Sequence, residues 1–345
     1  MRRLVGMWTS ILIGCGGGTT PLTPPTGVLF CDREIPRDAT ELRCDRHYST
    51  DFPIISRTEQ PELLSTLLPL ASLPMLVDVE LDADDITNLA PLAGLTHLRR
   101  LVLHGARPTD LSPLADLVEL EELLIAGAEV SDTAALTKLT RLRRVSIGRD
   151  LRDLGGLANA TELEELSLSR SQVTDLTPLA GKHRLTELSA NDTQVSDLSP
   201  LAGLRGLAWL ELERTPVRDL SPLASCPALA NLDLDGAAVD SLAGIDGITT
   251  LRSLEINRTR VSDLSPIAKS TGLEFLRAFD APLRDIAPLA GMKHLRDVTV
   301  VRSGVTDLSP ILGLKTLTYL GVAGTKVPPE QVEQLKKDNP RLEVF

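Results

Sequence analysis

Aromatic side chains are nearly missing from this sequence: Phe, Trp and Tyr together make up 3% of its 345 residues. A core drawn from the 42% hydrophobic content must therefore be aliphatic, and leucine supplies most of it. Repeat architectures, which reuse one small apolar set, have such compositions more often than globular enzymes do. Basic charge is also short, with 36 Lys and Arg against 47 Asp and Glu and a net charge of -11. That balance argues against nucleic acid as a partner, because phosphate binding needs basic stripes. No apolar run is long enough to cross a bilayer, which takes about 20 residues; LVGMWTSILIG, residues 4–14, is too short. The five histidines, His47, His97, His104, His183 and His294, are scattered, and there is no CxxC, GxSxG or phosphate loop. Motif chemistry thus offers no catalytic, metal or cofactor centre.

The apolar run follows Arg2 and Arg3 and stops at Cys15, the layout of a secretory signal. Its last residues, Leu12-Ile13-Gly14-Cys15, resemble the lipobox of bacterial lipoprotein signal peptides. The resemblance implies cleavage before Cys15 and a lipid on its sulfur, so residues 1–14 are the signal peptide and Cys15 is the membrane anchor. An ordinary signal peptide is the alternative. By family analogy Gly16 is compatible with outer-membrane sorting, facing either the periplasm or the outside. Residues 15–30, rich in Gly, Pro and Thr, read as a flexible tether.

Self-comparison gives the organisation of the rest. DLSPLA or a variant recurs at Asp110, Asp175, Asp197, Asp219, Asp263, Asp285 and Asp307, and LxxLxL precedes each copy. Units begin at Leu76, Leu98, Leu120, Leu142, Leu163, Leu185, Leu207, Leu229, Leu251, Leu273, Leu295 and Leu317. The step is 22 residues except from Leu142 to Leu163, where one residue is missing near Asp150. This pattern resembles the short leucine-rich repeat of internalin-like bacterial surface proteins. The resemblance implies an α/β solenoid: a right-handed leucine-rich-repeat superhelix with a parallel concave β-sheet and short 3₁₀ or turn segments on the convex side. The division is then an N-terminal cap at 31–75, repeats at 76–326, and a C-terminal cap helix and edge strand at 327–345.

Alternation within LxxLxL sends the fourth and sixth residues inward. In SPLA, Ser can cap a helical turn and Pro can occupy its first position. The recurrent aspartates, which include Asp132 and Asp153, share one slot where a carboxylate can accept backbone N–H bonds; a calcium column is a poor fit, since calcium takes 6–8 oxygens. The asparagine usual in the family after LxxLxLxx is replaced by Ala, Ser or Thr, for example Ala237 and Thr215. Cys226 falls in a slot otherwise filled by residues such as Leu204 and Met292 and reads as a buried hydrophobe. Cys31 and Cys44 remain for a disulfide in an exported chain.

The third, fifth and seventh residues of each unit map the concave face. All four aromatics between Leu76 and Lys326, namely Trp209, Phe275, Phe279 and Tyr319, fall there. Glu211, Glu213, Asp233, Asp235, Glu255 and Arg277 lie among them, so these ten residues form the candidate contact surface. Shielding of neighbouring strands without a partner is the competing reading. The eighth slot holds Arg149, Arg170, Asp192, Arg214, Arg258, Asp280 and Arg302, which predicts Arg–Asp–Arg pairing along the rim. Glu211 and Glu213 beside Asp233 and Asp235 could mimic a catalytic carboxylate pair, but an open sheet is expected to leave them hydrated. The expected protein is a monomer without cofactors. It binds a macromolecule, or else serves a structural role in the envelope.

Overall fold

The computed structural model of the chain describes residues 27–30, 33–44, 67–82, 84 and 86–345. Cys15, Cys31 and the side chain of Cys44 lie outside the described residues, and with them the expected lipid site and disulfide.

Each LxxLxL becomes one short strand. In Trp209–Glu211, for example, Leu210 is buried between two residues that reach solvent, and Leu212 follows it inward. The strands join in one open parallel sheet of fourteen, ordered as in the chain from Glu41–Cys44 to Glu343–Val344. Register follows the repeat: Trp209 lies beside Asn231, Leu210 beside Leu232 and Glu211 beside Asp233. Equivalent slots therefore stack, and the interior leucines form one continuous aliphatic core. No single coil can bury its own apolar face, so neighbours supply the stability.

Opposite the sheet, short 3₁₀ segments such as Ser199–Leu201 and Ser265–Ile267 cover the core. Their caps differ from the sequence expectation. The Ser of SPLA is the first residue of the segment, with no side-chain cap on the preceding Leu. The Asp two residues before the Ser does the capping: Asp197 Oδ1 accepts the Ser199 N–H at 2.8 Å, and Oδ2 accepts its hydroxyl. The same bond recurs in every repeat from Asn88 to Asp307, with Ser241 substituting its hydroxyl where Asp is absent. A carboxylate reaches an amide two residues on, which a serine inside the turn cannot do. The serine and threonine hydrogen bonds hold Asp110, Asp175, Asp263 and Asp307 below the usual carboxylate range.

The eighth slot has a backbone property that its side chains do not advertise. Arg170, Asp192, Arg214, Arg258, Asp280 and Arg302 are left-handed, with φ between 52° and 65°. Gly105, Gly236 and Gly324 share the slot and the conformation. From Arg170 to Arg302 the N–H of this slot reaches the next coil: Arg214 donates to Asp235 O at 2.7 Å and Arg258 to Phe279 O at 2.7 Å. A non-glycine residue there costs about 1–2 kcal/mol, offset by the bond between coils. The threonines of the following slot, Thr193, Thr215 and Thr259, each donate to the carbonyl three residues back. They close their own turn rather than bonding the neighbouring coil.

At the C-terminus the helix Pro329–Asp338 buries Leu335 and stops before Pro340. Glu343–Val344 then pairs with Tyr319–Gly321. At the other end Gly27–Phe30, within the stretch read as tether, pairs antiparallel with Arg33–Pro36.

Two residues of one interior slot carry titratable side chains, Cys226 and Lys182. Cys226 is fully buried, and burial pushes its thiol up. Lys182 occupies the same slot in another coil, is 3% exposed, and donates to Ala158 O at 3.1 Å and Ala160 O at 2.9 Å. Burial lowers its pKa, since the ammonium loses water without gaining a carboxylate.

Candidate functional site

The N-terminal part of the concave face neutralises itself. Asp78 lies between Arg43 at 2.8 Å and Arg100 at 2.9 Å, and Glu80 also pairs with Arg100 at 2.8 Å. Glu122, 6% exposed, is clasped by Arg100 and Arg144. Charges alternate from strand to strand, so Asp78, Glu80 and Glu122 each meet a guanidinium. Val102, in an outward fifth slot, is buried here beside Glu80, in a part of the face filled by ion-paired side chains.

The middle of the sheet is different. Strands Glu187–Ser189, Trp209–Glu211, Asn231–Asp233 and Ser253–Glu255 present Glu187, Glu211, Glu213, Asp233, Asp235 and Glu255, with no cation in their own outward slots. Glu213 pairs with rim Arg214 at 2.7 Å, Glu255 with Arg277 at 3.0 Å, and Asp235 reaches Arg258 at 3.8 Å. Among the described residues Glu187, Glu211 and Asp233 have no ion-pair partner. Neutral donors organise them instead. Glu211 accepts from Trp209 Nε1 at 2.8 Å, Ser189 Oγ at 2.8 Å and Asn191 Nδ2 at 2.9 Å. Asn257 donates to Asp235 at 2.7 Å, and Asp233 accepts the Asp235 N–H at 2.9 Å.

This packing overturns the expectation of fully hydrated carboxylates. Burial pushes the Asp233 carboxyl up to about 7, and the like charges of Asp235, Glu255 and Glu213 add to it. Burial also raises Glu255 and Asp297, against the opposing pull of Arg277. Strands about 4.8 Å apart crowd several carboxylates into one row and exclude the water each would have alone.

Towards the C-terminus the face hollows into a depression of about 560 Å³ whose walls include Asp235, Arg277, Phe279 and Tyr319. Arg277 bridges Glu255 and Asp297, the latter at 3.4 Å. The Arg302 guanidinium stands 4.2 Å over the Phe279 ring. Tyr319 stacks on Phe345 with centroids 4.8 Å apart. Trp209 and Phe275 have no such ring partner and are 43% and 36% exposed. The aromatic set thus divides: Phe279 and Tyr319 are covered by their own chain, while Trp209 and Phe275 face solvent.

All ten sequence-selected residues stand on this one face, though in two groups, the acidic middle and the hollow. Six residues that shape the site were not selected: Ser189, Asn191, Asn257, Arg258, Asp297 and Thr299. All but Arg258, which comes from the rim, occupy third, fifth or seventh slots, so slot position was the available signal. Rim pairing is only partly as expected. Asp192 accepts from Nε and Nη2 of Arg214, at 2.5 and 2.7 Å, and lies 3.9 Å from Arg170. Asp280 pairs with Arg302 at 2.6 Å, but Arg258 turns inward to Asp235 instead. Among the described residues no three His, Cys, Asp or Glu side chains are grouped so as to hold a metal ion.

An open parallel sheet with one strand per 22-residue coil and 3₁₀ turns opposite defines a leucine-rich repeat solenoid. Solved structures agree. An internalin, InlF, from Listeria monocytogenes is similar at 27% identity over 80% of this chain and 82% of its own, with a TM-score of 0.76. A leucine-rich repeat protein of Leptospira interrogans is similar in fold at 13% identity over 80% and 86%, with a TM-score of 0.68. The plant peptide hormone receptor RGFR1, solved in complex with RGF2, matches at 16% identity over 80% and 52%, with a TM-score of 0.66. No protein-family model and no curated protein sequence matches the chain. The structural neighbours are thus internalins and other leucine-rich repeat proteins, and the solenoid is internalin-like.

Proposed function

We propose that this chain is a lipid-anchored protein of the bacterial cell envelope, at the outer membrane, that binds a protein partner through the concave face between Trp209 and Tyr319. It acts as a binding module, not an enzyme. One observation carries the binding reading: two large aromatics stand exposed over carboxylates without counter-ions, on a sheet whose other end pairs its charges internally. Exposed aromatics anchor interfaces, and a half-buried unpaired carboxylate is a cost that stability alone does not explain. The receptor solved with its peptide hormone is a protein of this fold engaging a peptide. The anchor reading rests on the lipobox at Cys15 and the short apolar run before it.

Capture of partners from an envelope extract tests the binding reading. Trp209→Ala with Phe275→Ala should lose the captured protein while the urea midpoint stays within error; an unchanged capture profile would overturn it. Metabolic labelling with a radioactive fatty acid tests the anchor, since Cys15→Ala should abolish incorporation. Protease treatment of intact cells then separates a surface-exposed protein, which is released, from a periplasmic scaffold, which is protected.

A further inference from the structure

The charge pattern of the concave face identifies the kind of partner, given that this face is the binding surface. We infer that the stretch framed by Trp209 and Phe275 receives an extended, basic protein segment with arginine at alternate positions.

Trp209 and Phe275 occupy the same slot three strands apart, hence about 14 Å at the usual spacing. Between them Glu211, Asp233 and Glu255 form a row across three neighbouring strands, with Glu213 and Asp235 behind it. Only Glu255 in that row meets an arginine of its own chain at close range. A segment crossing the strands advances about 3.3 Å per residue, so alternate side chains fall about 7 Å apart. Two cations then span the row, with the flanking residues left to lie on the two rings. Arginine suits the site better than lysine, because its planar fork pairs with a carboxylate while its face stacks on an aromatic ring. The chain itself shows that chemistry nearby, where Arg302 lies over Phe279 and grips Asp280. An acidic partner would meet six carboxylates, and a neutral one would leave Asp233 desolvated and unpaired. The crowding that raises the Asp233 carboxyl adds a signature: a bound guanidinium should pull it back down, so binding takes a proton off the protein near neutral pH.

The probe is a fluorescent nine-residue peptide of alternating arginine and leucine, with a glutamate–leucine peptide as its counterpart, followed by anisotropy at physiological salt. The arginine peptide should bind, and Asp233→Asn with Glu211→Gln should weaken it at least tenfold. Glu129→Gln with Asp240→Asn removes the same charge away from the concave slots and should change binding less than twofold. Binding of the wild type should also weaken several-fold from pH 8 to pH 6. Equal losses in both double variants would reduce the effect to bulk charge and overturn the inference, as would equal binding of the glutamate peptide. If the extract partner is lost with Trp209 but contacts this row through an acidic or neutral segment, the inference fails while the binding surface stands. If no capture depends on Trp209 or Phe275, the binding surface itself fails.

Discussion

Replacing Asp233 by Asn should make the protein more stable, and by an amount that depends on pH. The carboxyl sits in a row of like charges, with burial as the main cause of its rise to about 7. In an unfolded chain it would titrate near 3.9. A carboxyl raised on folding binds its proton more tightly in the native state, so stability falls as pH climbs from about 4 to about 7 and stays low above. The full span would amount to about 4 kcal/mol, but the open side of the sheet lets solvent screen the charge, which leaves about 1–2 kcal/mol. Asparagine keeps the Oδ1 acceptor for the Asp235 N–H and removes the charge. Urea unfolding followed by circular dichroism at pH 4, 6 and 8 reads the difference. The variant should exceed the wild type by about 1–2 kcal/mol at pH 8, with the gain shrinking towards pH 4. A loss of stability at pH 8, or a gain independent of pH, would refute the reasoning, because it would mean that the carboxylate is not desolvated.

Lys182→Met should stabilise the protein by about 1–2 kcal/mol at neutral pH, because a well-packed hydrophobe replaces a buried ammonium. Its lowered pKa makes that gain largest below the folded value and small by about pH 10.4, where the unfolded side chain also loses its charge; the same denaturation series in alkaline buffer checks this. Gly156→Ala should cost about 3 kcal/mol, since an added Cβ would lie 1.6 Å from Thr133 O, and a lowered urea midpoint would show it. Cys226 should resist a thiol reagent in the native protein and react once urea unfolds the coil around it, because it is fully buried with a raised pKa. Rapid native labelling at Cys226, located by peptide mapping, would contradict that.

Periodicity made the solenoid legible: a 22-residue step with LxxLxL admits few ways to bury its leucines, and the strands fall where alternation places them. The aspartate column was legible as a backbone acceptor, because a carboxylate beside a turn has few other uses. Its exact receptor was not, since Ser and Asp both cap and only geometry chooses between them. The left-handed column was hidden because Arg does not announce a positive φ; the glycines at 105, 236 and 324 in the same slot were the sign. For the site, slot position located the outward residues but could not tell Trp209, which is open, from Tyr319, which Phe345 covers. That distinction depends on the C-terminal strand folding back beside the last coil. The raised Asp233 carboxyl was illegible for a related reason: it arises largely from side chains on neighbouring coils, each ordinary by itself.

The short coil between Leu142 and Leu163 has a consequence for how the molecule comes apart. From Arg170 onward the left-handed slot recurs without interruption to Gly324, whereas before it Gly105 adopts the conformation and Gly127 and Arg149 do not. Strand register runs through this joint, with Val145 beside Leu166, but the coil is one residue short, and the buried amine of Lys182 reaches back to its carbonyls at Ala158 and Ala160. Stretched from its two ends, the solenoid should part first along this seam, with the contact surface on the far side still assembled.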